Sequence, residues 1–309
     1  MSVTLIAVVL ALFLGHVITG LTRLRRYGWF DHWLAFGENR LDGLFGSRFS
    51  LLLSLGLPLL LVAILQAWLQ GRYFGVPAFL FALLALLYSW GPRDLDRDVE
   101  AIEEAPDEEA RERALAQLAD RRGAPHATDE AELVGALFAA ARRRWFGVLL
   151  WFLLLGPFGA LMYRLTAPAA ARSGEAELPG PHMAAYRHLL AILDWPVAHL
   201  MALALALVGS FDAVHQAWRD WHQARRGESF DFSHGFLMSA ALASVRLHCQ
   251  HQQVENALDQ AAGLEPGEPE LPLDAPRALA ALHAAMTLCW RILVAWLVVL
   301  ALFVLAGYV

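Results

Sequence analysis

The feature that most constrains this chain is the gathering of its apolar residues into runs of membrane-spanning length. Hydrophobic residues make up 58% of the 309 positions, above the roughly 45–50% of soluble domains, and the excess sits in blocks. A helix that crosses a bilayer needs about 20 mostly apolar residues. Four runs stand out: Phe49–Trp68, Val76–Trp90 (short, but extendable into Tyr73 and Phe74), Phe146–Met162 and Leu288–Tyr308. Two weaker runs are Val3–Ile18 and the Ala-rich Val197–Val214, which holds one His and one Asp. Backbone groups in hydrocarbon must be satisfied within the segment, so such runs form helices. The fold expected is all-α: a polytopic helical membrane bundle of four to six spans, residues 1–309 forming one integral membrane domain with helical cytoplasmic loops.

Charge sets the expected orientation, because loops rich in basic residues stay inside. All 24 basic residues are Arg. With the N-terminus outside, the first inner loop holds Arg23, Arg25, Arg26, Arg40 and Arg48, and the facing outer loop holds only Arg72. The second inner loop, 91–145, carries Arg93, Arg97, Arg111, Arg113, Arg121, Arg122 and the triplet Arg142, Arg143, Arg144. The third inner segment, 216–285, carries Arg219, Arg225, Arg226, Arg246 and Arg277. Both loops are therefore expected in the cytoplasm and both termini outside, in a bacterial inner membrane. Val3–Leu14 has no basic residue before it and no small-x-small site after it, so it reads as an anchor and not a signal peptide. Trp68, Tyr73, Trp90, Trp145, Tyr163 and Tyr308 fall at span edges, as an aromatic belt does. The net charge of −6 argues against nucleic acid as a partner. The partners expected are the lipid bilayer and a further membrane or cytoplasmic signalling protein.

The inner segments carry helical periodicity. Leu95, Val99 and Ile102 recur at helical spacing, as do Ala110, Ala114 and Leu118 after Pro106. Asp107 follows Pro106 and is a poor match to a helix cap there. Ala131–Trp145 and Ser233–Ala262, with Ser233 as its cap, are further helices. Gly263–Pro276 and Ala167–Pro181 read as loops. Chemistry-bearing motifs are few. A Walker loop needs Lys and the chain has none, and no G-x-S-x-G elbow occurs. His248, His251 and Glu255 share a helix face with metal-holding spacing, but their polar surroundings favour a solvated face. His215 and His222, two turns apart among Trp218 and Trp221, read as an interfacial strip. Cys249 and Cys289 imply no disulfide framework. Neither a cofactor nor a metal is called for.

Charges at span edges are more informative, since insertion of one costs about 2.5–3.5 kcal/mol. Arg164 follows Tyr163 at a span end. Asp194 stands in L-A-I-L-D-W-P just before the fifth apolar run, with His199 a little over one turn later. Arg164 and Asp194 are expected to contact one another, or one of them to contact His199 or a shared backbone site.

Two stretches, G-P-F-G-A-L-M-Y-R-L at Gly156–Leu165 and I-L-D-W-P-V-A-H-L at Ile192–Leu200, together with Arg93, Asp94 and Leu95 upstream, resemble the membrane superfamily of adenosylcobinamide-phosphate synthases and AmpE proteins. The resemblance covers most of the chain. The synthases carry an E-N-x-x-D-G motif before the central span, suited to Mg²⁺ and nucleotide phosphate; here the run is A-A-A-R-R-R-W-F-G, Ala139–Gly147. Their N-T-x-D-x-M-x-G-Y stretch is replaced by Thr166, Ala167, Pro168 and Ala169, and their Pro-Ala-Arg by Pro196, Val197, Ala198 and His199. The pattern is similar to the AmpE branch. That implies a non-catalytic inner-membrane modulator linked to β-lactamase induction and cell-wall-fragment sensing; the synthase branch implies an amide-forming ligase instead. Arg93, Asp94, Arg142, Arg143, Arg144, Tyr163, Arg164, Asp194 and His199 are the candidate structural or ligand residues.

Overall fold

The computed structural model describes residues 6–11, 28–30, 32–34, 47–70, 75–90, 94–119, 129–175, 181–224, 235–261 and 277–306. No strand occurs among the described residues. Eleven named helices follow in order: α1 Ser47–Leu69, α2 Val76–Ser89, α3 Leu95–Glu103, α4 Glu108–Ala119, α5 Glu130–Ala141, α6 Gly147–Leu155, α7 Pro157–Glu175, α8 Pro181–Val208, α9 Phe211–Ala224, α10 Gly235–Ala261 and α11 Arg277–Leu305. A single π-helical turn, Arg142–Phe146, joins α5 to α6. The chain divides into two compact units. The first comprises Met1–Asp94, Arg143–Val197 and Leu300–Val309; the second comprises Leu95–Arg142 and Ala198–Val299.

In the first unit α7 packs against α1, α2 and α6. Its core gathers Phe30, Leu34, Leu55, Leu59, Leu161, Leu165 and Tyr186. Three prolines lie inside its helices: Pro58, Pro168 and Pro196. Each lacks the N–H that its helix owes to the carbonyl four residues back. For Pro58 that carbonyl is Ser54, and the Trp33 indole supplies the missing donor at 2.8 Å. Near Pro196, the Trp151 indole donates to the Leu193 carbonyl at 3.1 Å. Around Pro168 the Thr166 hydroxyl donates to the Met162 carbonyl at 2.7 Å, a back-bond of the kind that bends helices.

The second unit is built on helix pairs: α9 with α10, α10 with α5, α3 with α4, and α4 with α5. Leu95, Val99 and Ile102 are buried as their spacing predicts, and so are Ala114 and Leu118. Two contacts set the direction of α3. His283 lies 3.2 Å from Glu103, and Trp290 donates to Asp96 at 2.7 Å. Both pairs of partners are seven residues apart, two turns of helix, so α3 runs antiparallel to the first half of α11. Beyond Arg291 the character of α11 changes: Val294, Val298, Leu302 and Phe303 expose apolar surface.

Several sequence expectations are corrected here. Phe146–Met162 is not one helix. The chain breaks at Gly156, where φ is 68° and ψ −150°, a region essentially restricted to glycine, and Pro157 opens α7 at the position proline favours. The stretch expected as a loop at Ala167–Pro181 is helical as far as Glu175, where α7 ends; its alanines favour helix enough to carry it past Pro168, and residues 176–180 lie outside the described residues. The run Val197–Val214 is not a separate segment either: α8 starts at Pro181 and ends at Val208, which puts Asp194 inside the helix. The run Val76–Trp90 does not extend through Gly75, which is left-handed at φ 80° and starts α2 at Val76. Asp107 does cap: its Oδ1 accepts from the Ala110 N–H at 2.6 Å. Ser233 and Gly263–Pro276 lie outside the described residues.

Among the described residues two helical segments are long and apolar enough to cross a membrane by length and composition, Ala184–Val208 and Arg277–Leu305, and Leu53–Leu69 and Val76–Ser89 are shorter apolar helices. A multi-pass arrangement of four to six spans goes beyond these two.

The Gly156 break is held by one side chain. The Gln66 amide donates to the Leu155 carbonyl at 3.2 Å and accepts from the Phe158 N–H at 3.0 Å, bridging the end of α6 and the start of α7. A Cβ at Gly156 would lie 3.0 Å from Gln66 Nε2. Gly156→Ala is therefore expected to cost about 1–3 kcal/mol, read as a lowered melting temperature of the purified chain; an unchanged midpoint contradicts the break as described.

Candidate functional site

The two stretches that carry the family resemblance meet in the first unit. Tyr163, on α7, is fully buried, and its hydroxyl donates to Asp194 Oδ1 on α8 at 2.5 Å. Asp194 is only 3% exposed, so it needs a donor; a buried carboxylate without one is strongly disfavoured.

The geometry of α6 makes room for this bond. Gly147 has no side chain, and the Tyr163 ring lies where a Cβ would stand; an added methyl group would overlap the ring. One turn on, Trp151 reaches the Leu193 carbonyl beside Asp194. Gly147 and Trp151 are four residues apart and share a face, so one side of α6 seats Tyr163 and also ties down the Asp194 turn of α8. A second close approach supports it: a Cβ at Gly159 would overlap the Trp151 carbonyl. Arg164, next to Tyr163, is buried as well, and Pro168 withholds the helical donor from its carbonyl.

The arginine triplet occupies the π turn Arg142–Phe146. Such a turn inserts a residue into the helix and shifts the faces that follow, and it is frequent at functional sites. Arg144 is 0% exposed and Arg142 is buried, whereas Arg143 is half-buried. The chain passes from the second unit to the first within this turn.

The other candidates are spread. Arg93 lies outside the described residues, and Asp94 is half-buried just before α3. His199 belongs to the second unit, where its ring sits 4.5 Å from that of Phe236. Five residues separate it from Asp194 along α8, which places the two about 140° apart around the axis. The expected partners of Asp194 did not include Tyr163. Gln66, Gly147 and Trp151 were not singled out either. Gln66 carries a signal that was available: a lone amide inside the apolar run L-L-V-A-I-L-Q-A-W-L, where a polar group requires an internal partner.

In the second unit Glu130 is the polar node. It opens α5 behind the Asp129 cap, whose side chain accepts from the N–H groups of Ala131 and Glu132. It pairs with Arg246 at 3.1 Å and Arg277 at 3.7 Å. Among the described residues no group of three or more His, Cys, Asp or Glu is placed to hold a metal. The first-unit site offers a buried phenol–carboxylate pair that ties α7 to α8.

Comparison of the chain with protein-family models, curated proteins and solved structures finds no match.

Two predictions follow from this geometry. Tyr163→Phe removes the donor to a buried carboxylate and is expected to destabilise the chain by about 1–3 kcal/mol. With Asp194→Ala in the same chain the losses are expected to be strongly non-additive, as for residues in direct contact. A melting-temperature cycle that sums to additivity removes the bond from the account. The Cys249 thiol is pushed up first by burial and then by the Glu130 carboxylate, with Arg277 opposing. Less of it is therefore thiolate at neutral pH than for a free cysteine. Glu130→Gln is expected to speed its alkylation and Arg277→Gln to slow it; slower alkylation in the first variant or faster alkylation in the second rejects this arrangement.

Proposed function

We propose that the chain is a multi-pass protein of a bacterial inner membrane acting as a non-catalytic regulatory modulator of the AmpE type, linked to β-lactamase induction and cell-wall-fragment sensing. One observation carries the reading. The hydrogen bond from Tyr163 to Asp194 joins the G-P-F-G-A-L-M-Y-R and L-D-W-P stretches, on which the family resemblance rests, into one buried site. Membrane embedding is supported by Ala184–Val208 and Arg277–Leu305, and by exposed leucine and valine along α8 and α11, which water does not favour in patches of this extent. The six-span arrangement, with 91–145 and 216–285 on the cytoplasmic side, rests on the arginine distribution.

The role assigned to the site is bistable packing. Tyr163, Asp194, Gly147 and Trp151 fix α6, α7 and α8 against one another, and a ligand or partner that favours a different register shifts the population between two packings. The partner is another membrane or cytoplasmic signalling protein. Deleting the gene is expected to alter the β-lactam concentration at which β-lactamase is induced. The wild-type gene restores that threshold, and a stably expressed Asp194→Ala variant does not. An unchanged threshold on deletion, or rescue of cobalamin-dependent growth in a synthase-deficient strain, overturns the proposal. Alkaline-phosphatase fusions at Gly123 and Pro266 are expected to be inactive; activity at either places that loop on the outer side.

A further inference from the structure

Helix α9 follows α8 after only Gly209 and Ser210. Since α8 contains one of the two segments long and apolar enough to cross a membrane, its C-terminal end sets the level at which α9 begins. The apolar surface does not stop there. Leu203 and Leu207 are exposed on α8, Leu207 by 72%, and Phe211, the first residue of α9, is 61% exposed.

At 100° per residue α9 divides into three sectors. Val214, Ala217 and Trp221 fall on one side, toward α10; Val214 is buried, and the Trp221 ring packs on Phe236 at 5.9 Å. Phe211, His215, Trp218 and His222 fall within about 60° of one another and form a second, exposed stripe. Asp212, Gln216, Arg219, Asp220 and Gln223 form the third. The stripe is ordered ring upon ring: Phe211 lies 5.9 Å from His215 and nearly parallel to it, His215 6.4 Å from Trp218, and Trp218 4.2 Å from His222. His222 Nδ1 lies 2.8 Å from the Trp218 carbonyl oxygen. A carbonyl only accepts, so that nitrogen carries the proton and the ring is fixed in place.

We infer that α9 lies in the headgroup layer of the bilayer, with the stripe from Phe211 to His222 turned to lipid. Trp and His present an apolar body with a polar edge, the pattern that settles between hydrocarbon and water. A helix with a packed side, an aromatic side and a polar side is the form that rests in the interfacial plane. The polar sector carries Asp212 and Asp220 against Arg219, so attraction to anionic headgroups is not the driving term. The association belongs to the aromatic rings and holds in zwitterionic lipid.

The inference rests on the membrane reading above, not on the regulatory role. Its test uses the full chain in nanodiscs of phosphatidylcholine, with Cys249→Ala removing the half-exposed thiol; Cys289 is buried and stays unlabelled. An environment-sensitive fluorophore is attached at Leu203→Cys, His215→Cys or Asp220→Cys in separate chains. With a doxyl quencher placed just below the headgroups, the labels at 203 and 215 are expected to lose most of their emission and the label at 220 little. Replacing part of the lipid by phosphatidylglycerol is expected to leave this pattern unchanged. Quenching at 203 without quenching at 215 overturns the inference while the membrane reading stands. Quenching at neither site overturns both. A label at 215 shielded from aqueous iodide and from the lipid quencher means a protein covers the stripe, and the inference fails. Trp218→Glu in the 215-labelled chain is expected to restore accessibility to iodide; no change counts against the stripe as the lipid contact.

Discussion

Polar groups buried among apolar helices must find partners within the protein, because an apolar interior offers none. The hydrogen bond from Tyr163 to Asp194 is where this constraint acts most strongly. A carboxylate almost wholly removed from solvent holds its charge only with donors aimed at it. Tyr163 can reach it because Gly147 leaves the ring a place to lie, and the Asp194 turn is held because Trp151 binds the neighbouring carbonyl. The same logic recurs at smaller scale. Trp33 answers the carbonyl that Pro58 leaves open, and Gln66 answers both ends of the break at Gly156. Large side chains with one polar edge thus satisfy the backbone groups that the interrupted helices of the first unit leave open.

Legibility in the sequence followed the range of the interaction. Periodicity identified the buried faces of α3 and α4, because Leu95, Val99, Ile102 and Leu118 are spaced within a few turns. The breaks were harder. A run such as Phe146–Met162 has no loss of hydropathy at Gly156; what divides it is a backbone angle that only glycine adopts easily, stabilised by a Gln about 90 residues away. Conversely, the Pro and small residues of Ala167–Pro181 suggested a loop where alanine carried the helix on. Asp194 and the Y-R element were expected to need partners for their charge. The contact of Tyr163 with Asp194 was out of reach of sequence spacing, because the residues of α7 that face α8 depend on how α7 rotates after Gly156. The arginine triplet was read by charge alone, and a π turn that carries Arg142 and Arg144 inward has no signature in residue type.

The second unit handles its charges differently. Glu103 and Asp96 meet His283 and Trp290 along an antiparallel pair of helices, and Glu130 meets Arg246 and Arg277. Glu130 is mostly shielded while its arginine partners are half-exposed or more. Pairs of this kind are screened and weak individually, and they set register more than stability. Their placement on α11 also marks a boundary. His283 and Trp290 meet carboxylates, and beyond Arg291 the helix exposes valine, leucine and phenylalanine. A helix of about 44 Å is longer than the roughly 30 Å that a hydrocarbon layer requires, and by length and composition α11 qualifies as a candidate span.

A catalytic site for joining a carboxylate to an amine by way of a nucleotide gathers metal-binding oxygens around the phosphates. At the matching stretch this chain has Arg142, Arg143 and Arg144, and the two most buried of them sit in a π turn. Guanidinium groups at that position raise the free energy of a nearby divalent cation and lower that of an anion or a carboxylate. A π turn is also a helical segment with a nearby alternative, since one residue of slippage converts it to regular helix and rotates the faces that follow by about 100°. Gly147, which leaves the Tyr163 ring its place, is the first residue after that turn, so the face that α6 offers to Tyr163 depends on which helical form the turn takes.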